Sequence, residues 1–311
     1  MNRSAEKTAI EKTPSALYHP RHWPSWLAIG VLRLISALPF RAKLAAGKYA
    51  GLMGLKLARR RRHITETNIR LCFPELDAEA QAKLVRDIFI QNGIGFFEIA
   101  WAWWAKPEDL AGRYSVEGLE HIENARKDGS GILLVGAHFV HLDIIGLVLK
   151  HVTQIDVIYR KNNDPVFEHV ITRGRKRLFE NVLERSDMRK IVRVLRSGSM
   201  VWYSPDQDFG GRQSVFAPFF GVPASTLVTT AQLARMGRAK VCCMFHYRDP
   251  ETHQYRVVFK PVDDDFPSGD DVADATYINS LIEAGIREEP AQYMWVHRRF
   301  KTRPPGEPSL Y

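Results

Sequence analysis

Cysteine is scarce in this chain, and its scarcity excludes a disulfide-built fold. Among 311 residues only Cys72, Cys242 and Cys243 occur. They give no even framework and no C-x-x-C pair, and adjacent thiols rarely bridge each other. All three read as reduced core residues of a protein facing the cytosol. An apolar run long enough to cross a bilayer unaided is also missing. The run 26–38 (Trp-Leu-Ala-Ile-Gly-Val-Leu-Arg-Leu-Ile-Ser-Ala-Leu) is broken by Arg33 and reaches roughly 20 Å as a helix, against ~30 Å of hydrocarbon. It can lie in the interface, or span only with help from its flanks. It begins late and lacks a small-residue cleavage pattern, so no secretory signal peptide is expected. No G-x-S-x-G elbow offers a serine nucleophile, and no G-x-G-x-x-G or G-K-[ST] loop offers a nucleotide phosphate cradle. His138 and His141 lie three apart with no further ligands at metal spacing, which argues against zinc. Neither repeats nor low-complexity linkers interrupt the chain.

What is present is a globular composition with an uneven charge. With 45% hydrophobic residues, the chain can bury a large core as one large domain or two smaller ones. Residues 1–75 hold 14 Lys/Arg against Glu6, Glu11, Glu66 and Glu75, whereas the whole chain is only +9. The basic excess is therefore local, and it follows the apolar run as Arg41, Lys43, Lys48, Lys56 and the block 59–62. Each basic residue near an anionic leaflet contributes on the order of 1 kcal/mol, and the positive-inside bias favours a cytoplasmic, inner-leaflet location for such a segment. A nucleic-acid partner is not expected, because the aromatics of this segment sit in apolar runs rather than on a base-stacking platform.

From residue 77 to 106 the apolar spacing predicts a helix, with Trp101, Trp103 and Trp104 as core or as lipid contacts. Beyond a boundary near Arg113, short apolar runs at 132–135, 155–159, 200–203, 241–247 and 255–259 alternate with helix-length amphipathic stretches. This predicts an N-terminal helical membrane-associating region over 1–112. It is followed over 113–311 by an α/β domain with a central mixed, largely parallel sheet flanked by helices. Reacting groups in such sheets gather at the carboxyl ends of strands. Three polar clusters follow predicted strands: residues 136–143, 159–165 and 204–212.

The first cluster carries the chemistry. His138 and Asp143 are five residues apart, roughly 140° around a regular helix, so they meet only if the backbone bends near His138. A strand ending at Val135, a turn through Gly136 and Ala137 and a helix from about Val140 would let Asp143 hold Nδ1–H and leave Nε2 as a base. The alternative is a partly exposed histidine beside an unrelated aspartate. A base with an orienting carboxylate and no covalent nucleophile suits direct attack of an acceptor hydroxyl on an activated acyl donor.

Read in order, the motifs resemble the late acyltransferases of lipid A biosynthesis, the lauroyl/myristoyl acyltransferase family. The likeness runs through residues 18–23 (YHPRHW), 68–75 (NIRLCFPE), 116–120 (VEGLE), 136–138 with Asp143, 159–160 (YR), 206–208 (DQD), 219–224 (FFGVPA), 292–304 (QYMWVHRRFKTRP) and 308–311 (PSLY). It implies an inner-membrane enzyme with its catalytic domain facing the cytoplasm and a fold like that of glycerol-phosphate acyltransferases. It also implies an acyl-carrier-protein thioester as donor, no other cofactor, and a lipid A precursor as acceptor, with anionic inner-membrane lipids as surroundings. His138 and Asp143 fall on the family's His-x-x-x-x-[Asp/Glu] dyad, and His141 matches none of its elements, reading as a satisfied surface histidine or one backing the site. Arg160 is the expected substrate-positioning residue, since a guanidinium suits a lipid phosphate or an oxyanion; pairing with Asp206 or Asp208 is its alternative. Asp206 and Asp208 match the family's acidic pair and are expected to arrange Arg160 or the loop, with Gly210 and Gly211 serving the turn. Phe219, Phe220, Pro223 and Thr226 are placed to line an acyl groove and open the next helix, core packing being the preferred reading for the two phenylalanines. The basic tail of Arg298, Arg299, Lys301 and Arg303 offers a contact for the carrier protein or lipid phosphates, or a solvated face. The competing readings are acylation of glycerol phosphate or another glycolipid, and a non-catalytic peripheral membrane protein.

Overall fold

The computed structural model describes residues 13–211 and 213–311. Four helices lead: α1 (Trp23–Ser36), α2 (Phe40–Leu57), α3 (Arg59–Cys72) and α4 (Ala78–Ala102). Pro24 sits in the first turn of α1, where a missing N–H costs nothing. Asp77 caps α4 by accepting the Ala80 N–H at 2.8 Å. α2 and α4 cross backbone to backbone, because a Cβ on Gly51 would lie 2.2 Å from the Phe89 carbonyl oxygen and one on Gly93 2.2 Å from that of Gly47. Among the described residues, no helix is long and apolar enough to cross a membrane.

After α4 the described residues lay down nine strands: β1 (Tyr114–Glu117), β2 (Ile132–Val135), β3 (Asp156–Tyr159), β4 (Val182–Glu184), β5 (Met200–Tyr203), β6 (Ser214–Phe219), β7 (Val222–Leu227), β8 (Lys240–Arg248) and β9 (Tyr255–Pro261). Helices α5 (Leu119–Ala125), α6 (Leu142–Val152), α7 (Pro165–Leu178), α8 (Met188–Arg196), α9 (Thr229–Gly237) and α10 (Asp271–Glu288) connect or follow them. Seven strands form one sheet in the order β1-β9-β8-β2-β5-β3-β4. Every neighbouring pair is parallel except β8 with β9. This is the mixed, largely parallel sheet that the alternating runs predict.

β2 is buried at all four positions, as a central strand covered on both faces must be. Leu133 and Val135 point into one core with Ile69, Phe89, Phe245 and Ile282. Ile132 and Leu134 point into the other with Ile145, Leu147, Trp202 and Met244. The first of these cores includes α3 and α4 side chains, so apolar packing runs across residue 112.

β6 and β7 form a separate antiparallel hairpin where residues 219–226 are expected to line a groove and open a helix. Its two-residue turn, Phe220–Gly221, has positive φ at both positions (51° and 74°), the geometry of a primed hairpin turn. The hairpin packs on α10, with Asn279 donating to the Pro218 carbonyl at 2.8 Å.

Candidate active site

β2 and β5 are adjacent parallel strands in the register Val135↔Tyr203. Three residues beyond each strand end stand His138 and Asp206. His138 Nδ1 lies 2.6 Å from Asp206 Oδ1, and the His138 backbone N–H donates to Asp206 Oδ2 at 3.0 Å. One carboxylate thus fixes both the ring and the backbone that carries it. Asp206 is fully buried, while the His138 side chain keeps 26% of its surface. With Nδ1 occupied, Nε2 has no partner among the described residues.

The electrostatics of the pair follow from this burial. Desolvation disfavours the imidazolium, but the charge of Asp206 and its hydrogen bond outweigh that, so the His138 pKa is raised above the ordinary 6.5. Burial likewise works against ionised Asp206, yet attraction to His138 and three hydrogen bonds hold its carboxyl below the ordinary value.

The bend near His138 is present, with β2 ending at Val135 and α6 starting at Leu142. The predicted partner is not. Asp143 makes no hydrogen bond or ion pair with His138; its Oδ1 accepts from Arg175 Nε at 3.1 Å and from Arg175 Nη2 at 2.8 Å. In the first turn of α6 the Asp143 carboxylate gains from the helix dipole, and its side chain reaches α7 instead of turning back to the ring. The loop itself is held from outside. Val140 N–H donates to the Gln292 carbonyl at 2.9 Å, and Met294 N–H to that of His138 at 3.0 Å. A short antiparallel strap from the C-terminal segment therefore clamps the loop.

His138, Asp143, Tyr159, Arg160, Arg175, Ser204 and Gln207 border one pocket of about 330 Å³, in which all three strand-end clusters meet. Arg212 of the third cluster lies outside the described residues. Arg160 is exposed at the rim and pairs with neither Asp206 nor Asp208, so those acids do not arrange it. Asp208 instead staples the tail, accepting from Thr302 N–H at 2.6 Å, Thr302 Oγ at 2.9 Å and Gly210 N–H at 2.8 Å. Gly210 and Gly211 take left-handed φ (63° and 82°), as a turn requires.

Thr226 does not line a groove. It is buried, accepting from Asn279 at 3.0 Å and Arg299 at 3.1 Å. Phe219 and Phe220 are core residues. The basic tail is no continuous docking face, because Arg299 is buried on the Ser225 carbonyl at 2.8 Å and Arg303 reaches that of Pro223 at 2.7 Å.

A second opening of about 610 Å³ shares Ile158, Arg185, Tyr203 and Phe209 with the first and continues past Met188, Ile191, Leu227 and Leu233. A pocket holding a charge-steered base thus runs into a more apolar groove. The sequence pattern of the bacterial lipid A biosynthesis acyltransferases matches residues 10–302.

The chain belongs to that family.

Its relatives include three proteins of Escherichia coli (strain K12). A lipid A biosynthesis lauroyltransferase is 37% identical over 98% of this chain and 100% of its own length. A palmitoleoyltransferase is 36% identical over 94% and 96%, and a myristoyltransferase 30% identical over 97% and 94%. This lipid A biosynthesis acyltransferase holds two features that its sequence does not disclose. Arg175 lies in a basic helix end, Arg-Gly-Arg-Lys-Arg, where nothing marks it out from Arg173 or Arg177. His246 is a strand residue whose ring sits 4.8 Å from that of His141. Both histidines are fully buried behind the site, which corrects the surface reading of His141. His141 Nε2 meets the His246 carbonyl at 3.0 Å, and neither ring nitrogen of His246 has a partner.

Proposed function

We propose that this acyltransferase is acyl-carrier-protein-dependent and adds a fatty acyl chain to the 3-hydroxyl of an acyl group already on a lipid A precursor. The observation that carries the mechanism is the His138–Asp206 pair in a pocket that opens into an apolar groove. Asp206 keeps the Nδ1–H tautomer, so Nε2 takes the proton of the acceptor hydroxyl as its oxygen attacks the thioester carbonyl carbon. The carbon–sulfur bond of the tetrahedral intermediate then breaks, and the proton on Nε2 passes to the leaving thiol. No acyl-enzyme forms. Arg175, held by Asp143 in the same pocket as His138, is a fixed cation for the oxyanion, and rim residue Arg160 suits a phosphate of the acceptor. The groove past Met188 and Leu233 suits an acyl chain, and α8, which lends it Met188 and Ile191, exposes Arg189, Lys190 and Arg193, a face matched to an acidic carrier.

The same reading puts the chain on the cytoplasmic face of the inner membrane. Trp23, Leu27, Val31 and Leu34 form an exposed apolar stripe on α1, and Tyr49, Met53 and Leu57 form another on α2. With the neighbouring basic residues this is the makeup of helices lying in an interface.

Purified protein is given a labelled acyl-carrier thioester and tetra-acylated precursor, and the accepting lipid is read by mass spectrometry. His138→Ala should lose about 10²–10⁴-fold in turnover. A folded His138→Ala variant with full activity would remove the mechanism. Label appearing on glycerol phosphate or another glycolipid instead would remove the assigned acceptor.

A further inference from the structure

A cleft of about 690 Å³ lies between α2, α4 and the turn joining β8 to β9, and none of its lining residues borders the catalytic pocket. Its volume falls within the roughly 300–1,000 Å³ of small-molecule sites. Two chemistries share its wall. Phe40, Leu44, Ile90 and Ile94 make an apolar floor. Arg41, Lys48, Arg113 and Arg248 supply four cations, against Glu251 on the lining and Glu98, which lies 2.9 Å from Arg248 Nε.

The cations differ in how they are held. Arg248 is buried and also donates to Gln91. Arg113 is stacked over Phe40, 4.8 Å from the ring centre. Arg41 and Lys48 are exposed one α2 face apart from Tyr49 and Met53, and neither has a hydrogen bond or ion pair among the described residues. The far wall is pre-set, because Asp249 Oδ1 accepts from the N–H groups of Glu251 and Thr252 at 2.9 and 2.6 Å. Unpaired cations over an apolar floor call for an anion carrying hydrocarbon, and a basic pocket beside an interfacial helix is a known arrangement for lipid headgroups.

We infer that this cleft is a binding site for one anionic glycerophospholipid, with its phosphodiester among Arg41, Lys48 and Arg113 and the first part of an acyl chain on Phe40, Leu44 and Ile94. The inference rests on the interfacial placement of α1 and α2 proposed above, but not on the acyl-transfer chemistry. Free phosphate shares the ionic half of this chemistry; the apolar floor favours the lipid.

The test is isothermal titration of the full chain with short-chain phosphatidylglycerol below its micelle concentration, with the matching phosphatidylcholine and inorganic phosphate as separate arms. Phosphatidylglycerol should bind one per chain, at least about tenfold tighter than either comparator. Arg41→Gln/Lys48→Gln/Arg113→Gln should weaken it by about tenfold or more, and so should Ala45→Phe, which fills the cleft without altering charge. A charge-matched control, Arg59→Gln/Arg60→Gln/Arg62→Gln, should leave the Kd unchanged. Unchanged binding in Ala45→Phe, an equal loss in the control, or phosphate binding as tight as the lipid would each overturn the site. Acyl transfer is not read in this assay, so either proposal can fail without the other. Vesicle sedimentation reports the interfacial placement separately.

Discussion

Asp206 and Asp143 are both within reach of the proposed catalytic pocket, and they do different things to it. Asp206 sets the charge state of His138, whereas Asp143 sets the position of Arg175. Since the attraction of Asp206 raises the His138 pKa, the reactive neutral base should appear only above the ordinary value, and kcat/KM should rise with pH through an inflection above about 6.5. Asp206→Asn removes the raising charge and leaves desolvation, so the inflection should move down and turnover should fall by about 10²–10⁴-fold. Asp143→Asn keeps the imidazole's partner, so its loss should come with a smaller inflection shift and should resemble that of Arg175→Lys. Equal inflection shifts in both asparagine variants would sink this division of roles.

The buried histidines behind the site make a second prediction at this scale. Desolvation, then the proximity of His138, depresses His246 to about 3, and burial drives His141 well below its ordinary value. Their folded pKa values lie below the unfolded 6.5, so the unfolded chain binds protons that the native state refuses. Stability from these two groups is intact above about 6.5 and falls as pH drops through the window below it. Each contributes a slope of up to about 1.4 kcal/mol per pH unit. His138 has the opposite sign, its contribution fading as pH rises through its raised pKa. Urea midpoints between pH 7.5 and 4.5 should therefore fall more steeply for the wild type than for His246→Leu; parallel curves would contradict the assignment.

Two contacts between elements decide whether the site is held at all. The α2–α4 crossing works because Gly47, Gly51 and Gly93 put no Cβ between the helices. Gly51→Ala would drive a methyl into the Phe89 carbonyl, and overpacking of this kind costs about 1–3 kcal/mol. Its thermal midpoint should fall, whereas Gly30→Ala, which meets nothing within 4 Å, should leave it unchanged or raised. The C-terminal strap is the second contact. Asn68 on α3 donates to the carbonyls of Trp295 and His297, both at 2.8 Å, and Tyr311 donates back to its Oδ1. Motifs some 230 residues apart in the chain thus meet at one clamp, which links α3 through the strap to the His138 loop.

At the scale of the molecule, exposed Arg33, Arg41, Lys48 and Lys56 lie on the same helices as the exposed apolar stripes of α1 and α2. Their association with anionic vesicles should have two separable parts. Raising salt from about 0.1 M to about 1 M shortens the Debye length from about 10 Å to about 3 Å and should strip the electrostatic part. Leu27→Asp/Leu34→Asp changes side chains that are 73% and 72% exposed. It should weaken the apolar part by about 1.5–3 kcal/mol per leucine, without moving the thermal midpoint. Vesicle sedimentation at both salt concentrations measures each part, and binding by the double variant equal to wild type would remove the interfacial reading.

By itself the sequence determined the α/β class, the positions of five strands and the bend that delivers His138, because a short apolar run ended by Gly-Ala is a local signal of a buried strand and its turn. Its ordered motifs also determined the family. It left the β6–β7 hairpin unread, since Phe220–Gly221 lacks the Asn-Gly or Asp-Gly signature of a primed turn. Only the tertiary structure decided which carboxylate serves the imidazole. Nearness in sequence favoured Asp143, but a helix points that side chain toward α7, while the pairing of two parallel strands brings Asp206, 68 residues away, to the same height as His138. Strand register is a property of the assembled sheet, and neither composition nor spacing along the chain encodes it.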